Sequence, residues 1–184
     1  MSNFIKDYYR RKRLKNSVSV GVGSFTNLRD VESVSYAYGI GSPSDISDVN
    51  EITKFLKWRS VKIKVLLIEM DKGVFDKIPE METLLSEDGM YIVKYNELDW
   101  LGDLKKGIAD EFFDYGSSLF INFNSTPSFT LSRVAQRVKS SMKIGMKNEM
   151  GIPYNFIVGG KDGEVLDNVE YLTQIFHYLK IFNQ

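Results

Sequence analysis

The chain has 184 residues with 24 Lys and Arg against 24 Asp and Glu, 43% hydrophobic residues and no cysteine. A chain of this length and composition folds as one globular domain, and the lack of cysteine excludes disulfides, thiolate nucleophiles, iron–sulfur clusters and cysteine zinc sites. The longest unbroken apolar runs, such as Val65 to Ile68, are far too short to span a bilayer, and the first residues lack the apolar core of a signal peptide. These features lead us to expect an intracellular, cytoplasmic product with no membrane partner.

The zero net charge is unevenly distributed. Residues 1–15 carry Lys6, Arg10, Arg11, Lys12, Arg13 and Lys15 against Asp7 alone, whereas residues 69–114 hold 13 acidic side chains and five lysines. Residues 133–147 then carry five basic residues and no acid. Blocks of opposite sign can pair within one fold or between copies.

In chain order, residues 1–16 read as a basic arm, helical or extended. Residues 17–41 read as an antiparallel β-hairpin, because Val18, Val20 and Val22 alternate with Ser19, Gly21 and Gly23, and Val34, Tyr36, Tyr38 and Ile40 alternate with Ser35, Ala37, Gly39 and Gly41. One face of the second strand is bulky and the other nearly bare. Residues 50–184 read as an α/β core. A short helix ends at Trp58, Val61 to Met70 is a strand, and Val74 to Ser86 is a helix that Pro79 can interrupt.

Met90 to Tyr95 is the next strand, and Leu98 to Tyr115 a helix with Leu101, Leu104, Ile108 and Phe112 as its apolar stripe. Leu119 to Phe123 is a strand. A helix follows to about Lys143, capped by Ser125 or Thr126 with Pro127 in its first position, and burying Leu131, Val134, Val138 and Met142. Tyr154 to Val158 is the last core strand and Val169 to Phe182 a closing helix; alternatively, Glu164 to Leu166 returns as an antiparallel strand after a turn at Lys161 to Gly163. The expected fold is therefore α/β, with a mostly parallel four-stranded sheet flanked by helices and preceded by a basic arm and hairpin.

Ligands of open α/β sheets sit beyond the carboxyl ends of the strands, which nominates Glu69 and Asp71, Asn96 and Glu97, Asn124 to Thr126, and Lys161 and Asp162. Glu69 and Asp71 supply two hard oxygen donors for Mg²⁺, though carboxylates after a buried strand are more often simply solvated. Gly21 and Gly23 do not complete a dinucleotide fingerprint, and Gly160 and Lys161 do not complete a phosphate-binding loop. His177 is the only histidine and reads as a structural or surface residue. No cofactor is implied.

Tyr8, Tyr9, Arg10, Arg11, Lys12 and Arg13 combine stacking rings with phosphate-pairing cations, and the same composition serves an arm that docks on an acidic neighbour. The docking reading ranks first. Together with the bare strand face, it leads to the expectation of a non-enzymatic subunit of a larger assembly, such as a phage neck or tail component, associating with copies of itself and other assembly proteins. The alternatives are a Mg²⁺-dependent phosphoesterase or nuclease using Glu69 and Asp71, and a nucleic-acid-binding accessory protein using the basic arm.

Overall fold

A computed structural model describes residues 3–16, 28–59, 61–123, 128–146, 152, 154–160 and 165–181. Its strands are β1 (Ser33–Ile40), β2 (Lys62–Glu69), β3 (Met90–Val93), β4 (Ser117–Asn122), β5 (Ser140–Gly145) and β6 (Phe156–Ile157). Its helices are α1 (Asn3–Asn16), α2 (Asp45–Trp58), α3 (Met81–Ser86), α4 (Asp110–Asp114), α5 (Phe129–Arg137) and α6 (Asn168–Ile181). The strands form one sheet in the order β3-β2-β1-β4-β5-β6, with every pair parallel. The α/β class holds, with six strands in place of four.

The expected hairpin is not seen. Residues 17–27, which would supply its first strand, lie outside the described residues, and β1 is hydrogen-bonded along both edges by the parallel strands β2 and β4. An occupied central strand has no edge left for an antiparallel neighbour. β1 is thus the middle of the sheet, and the sheet core begins before residue 50.

Both faces of β1 are covered, which explains its unequal sides. Val34, Tyr36 and Ile40 pack with Ile46, Val49, Ile52 and Leu56 of α2 and with Tyr171, Leu172 and Ile175 of α6. Ala37, on the bare side, packs with Leu131, Val134 and Ala135 of α5. A methyl on Gly39 would lie 2.9 Å from Met70 Cγ, so the small side chains let Met70 and α5 approach the strand closely. In β2, Val65, Leu66, Leu67 and Ile68 are buried on alternating faces, which is why the strand reads as a continuous apolar run.

Two expected helices are replaced. Between Val74 and Ser86, a single 3-10 turn (Phe75–Lys77) and α3 are separated by Pro79, and Ile78 before the proline is extended. Between Leu98 and Ala109 there is no helix. Asp99 Oδ1 accepts from the N–H groups of Leu101 and Asp103 at 2.8 and 3.0 Å, and positive φ angles at Gly102, Gly107 and Ala109 break the turn repeat. Leu101, Leu104 and Phe112 are still buried, but from a folded-back loop that ends in α4.

The helix expected to run to Lys143 stops at Arg137, and β5 follows. Val138 and Met142 are four residues apart, a spacing that fits both one helical turn and two strand periods. Met142 and Ile144 face the α2 and α6 side of the sheet, so burial on both faces selects the strand. The α5 cap is Ser128, whose hydroxyl accepts from Leu131 N–H; Ser125, Thr126 and Pro127 lie outside the described residues. Residues 161–164 also lie outside them.

Candidate functional site

The order β3-β2-β1-β4-β5-β6 reverses direction at β1 and β4. The chain leaves β1 for α2 on one face of the sheet and leaves β4 for α5 on the other, so the two connections part at the carboxyl edge. Divergent connections at such a switch point open a crevice, which is where doubly wound proteins bind ligands.

On the β1 side, Asp45 at the start of α2 folds back over the turn. Its Oδ2 accepts from the N–H groups of Gly41 and Ser42 at 2.8 and 2.9 Å, and its Oδ1 accepts from the Ser42 hydroxyl at 2.9 Å. A side chain on Gly41 would meet Asp71 Oδ2 at 3.7 Å and Asp45 Oδ2 at 3.8 Å, so two carboxylates flank this glycine. The amides that a dinucleotide-binding turn offers to a pyrophosphate are here taken by the protein's own carboxylate. Tyr38 donates to Asp48 Oδ2 at 2.6 Å, and burial together with that carboxylate pushes its phenol well up.

On the β4 side, Asn122 ends the strand with 1% of its surface exposed. Its Nδ2 donates to the Tyr154 hydroxyl at 2.5 Å, its backbone carbonyl accepts from Tyr171 at 3.4 Å, and its Oδ1 has no hydrogen-bond partner. Gly145 makes room for Tyr154, since a Cβ there would come within 2.5 Å of the ring. Burial pushes the Tyr154 phenol up to about 12, so it keeps its proton and can donate it. A buried acceptor without a donor costs about 1–3 kcal/mol, and a ligand N–H or O–H would relieve that cost.

The carboxylates nominated from the sequence divide. Glu69 is buried, and its oxygens accept from the N–H groups of Phe75 at 3.3 Å and Tyr95 at 2.7 Å, tying the connections after β2 and β3 together. Asp71 is exposed beside Gly41, near the carboxyl end of β1. Among the described residues no three His, Asp or Glu side chains are grouped to hold a metal ion. Asn96 is exposed, Glu97 Oε2 accepts from Lys94 N–H at 2.7 Å, and His177 is exposed on α6.

The basic arm is a helix docked on its own chain. Arg13 pairs with Asp99 at 2.5 Å and Asp103 at 3.4 Å, Arg10 Nε donates to Leu101 O at 2.7 Å, and Leu14 packs with Leu101 and Phe129. Arg10 also lies over the Phe129 ring. Tyr8, Arg11 and Lys12 remain exposed, and Tyr9 meets Trp100 edge to face.

Asn122 and Tyr154 were not singled out in the sequence. A polar residue inside the apolar strand Leu119 to Phe123 was the available signal for Asn122; its partner came from a connection that no spacing rule ties to it.

The strand order and the helices on both faces define a doubly wound α/β protein, with polar side chains at the ends of β1 and β4. Residues 3–182 match the model of DUF6913, a family of unknown function, and the chain belongs to that family. No curated protein matches it in sequence. No helix among the described residues is long and apolar enough to cross a membrane.

Proposed function

We propose that the chain binds a small, uncharged polar ligand in the crevice between β1 and β4. The observation that carries this reading is Asn122, whose buried Oδ1 lacks a donor beside a Tyr154 hydroxyl that has a hydrogen to give. An acceptor next to a donor suits a hydroxyl or amide group. The Asp45 and Asp71 carboxylates at the rim disfavour a phosphate, because like charges repel and the turn amides are already taken.

The test is thermal denaturation with uncharged sugars and nucleosides, each beside its phosphorylated counterpart, in the parent protein and Asn122→Leu. Stabilisation by an uncharged member, absent with its phosphate and lost in the variant, is the expected result. Equal stabilisation by the phosphorylated partner, or no response across the panel, overturns the reading.

The other readings draw less support. A Mg²⁺ enzyme needs two available carboxylates, and Glu69 is held by backbone N–H groups. A viral assembly subunit rests on the basic arm and the bare strand face, and the chain itself engages part of the first and covers the second with α5. Of the basic arm, the outer side of α1 is left open to a macromolecular partner.

A further inference from the structure

We propose that the outer face of α1, together with Trp100, binds single-stranded nucleic acid. Phe4 is 80% exposed, Tyr8 57% and Trp100 52%, with Ile5 and Tyr9 also open to solvent. Exposed aromatics gathered in one place mark an interaction surface.

At 100° per residue, the side of α1 that carries Leu14 and Arg10 faces the protein, and Phe4, Tyr8, Arg11 and Lys15 form a stripe on the other side. Lys12 lies beside that stripe. The rings occupy the first half of the helix and the exposed cations Arg11, Lys12 and Lys15 the second. Arg10 and Arg13 are held by Leu101 O and by Asp99 and Asp103, so they anchor the helix and leave the outward cations to a partner.

Charge selects the occupant. Asp7 is the only acid on the helix, and the exposed charges of the stripe are all positive, so a second copy of α1 laid against it would bring like charges together. A membrane surface would want a broad apolar face, whereas the fully apolar side chains here are Phe4 and Ile5 at one end. Single-stranded nucleic acid offers both phosphates for the cations and base faces for the rings, and tolerates any sequence.

The test is fluorescence anisotropy of labelled oligo(dT) and oligo(U) with the whole protein over a range of salt. Binding is expected to weaken with a log–log salt slope near about −2, as roughly three cations release counterions at about 0.7 each. Phe4→Ala with Tyr8→Ala should weaken binding by about tenfold or more at unchanged slope, while Arg11→Gln with Lys12→Gln should flatten the slope. All four side chains are exposed, and circular dichroism checks that α1 is retained. A response to one oligonucleotide alone assigns DNA or RNA within the proposal. No binding, salt-independent binding, or binding to phosphatidylserine vesicles with none to either oligonucleotide overturns it.

Discussion

Arg13 of α1 and Asp99 of the β3 to β4 connection, 86 residues apart in sequence, form an ion pair at 2.5 Å. Burial alone would raise the Asp99 carboxyl, but the Arg13 guanidinium and the N–H groups of Asp103 and Leu101 outweigh it and hold the group below its ordinary range. The pair is one side of a larger network. Arg133 Nε donates to Asp103 Oδ2 at 2.8 Å and its Nη1 to Gln136 Oε1 at 2.7 Å, while Gln136 Nε2 donates to the Leu14 carbonyl at 3.0 Å. The first helix, the loop replacing an expected helix, and α5 are thereby joined.

Asp103 is the centre of that network and is almost fully buried. Asp103→Asn leaves the Arg133 charge in a poorly solvated place without its carboxylate, which is expected to cost about 3 kcal/mol. Urea denaturation measures the loss. A variant within about 0.5 kcal/mol of the parent would show that the Asp103 carboxylate does not hold the network together and leave the anchoring of α1 to the Arg13–Asp99 pair, Arg10 and Leu14.

Glu69 is expected to act as a latch. Glu69→Gln keeps one carbonyl acceptor but removes the charge that strengthens the bonds from Phe75 and Tyr95, lowering stability by about 1.5 kcal/mol. Amide exchange should speed most at Phe75 and Tyr95. Unchanged protection at both positions would contradict the latch.

Lys143 is fully buried on β5, with its ammonium donating to Ala135 O at 2.8 Å near the end of α5. Burial lowers its pKa from 10.5 to about 8. Between those values the unfolded chain binds more protons than the folded one, so stability rises with pH, and the cost of the buried charge is fully present below pH 8. Lys143→Met should lack that rise, on the order of 3 kcal/mol across the window. Denaturation of both proteins at a series of pH values gives the difference, and parallel profiles would sink the prediction.

The strand ends near Met70, Val93 and Asn122, the short helix ending at Trp58 and the closing helix were legible because each has one dominant period and a clear boundary. The loop after Leu98 was not. Its apolar residues keep helical spacing and are buried as a helix would bury them, but the Asp99 turn and the left-handed positions at Gly102, Gly107 and Ala109 determine the backbone. β5 was hidden by the same kind of ambiguity, since Val138 and Met142 satisfy both periods at once.

By itself, the sequence determined the α/β class, the absence of cysteine chemistry and the burial of the apolar runs, because these follow from composition and local periodicity. Only the tertiary structure decided which strand lies at the centre, which arginines are paired within the chain and which buried carbonyl has no donor. Those outcomes depend on long-range pairing: β1 is central because β2 and β4 pair with its two edges, and Asn122, at the end of β4, meets the hydroxyls of Tyr154 and Tyr171 from distant parts of the chain. Residues far apart in sequence meet only when the sheet forms, and the candidate site exists only after they have met.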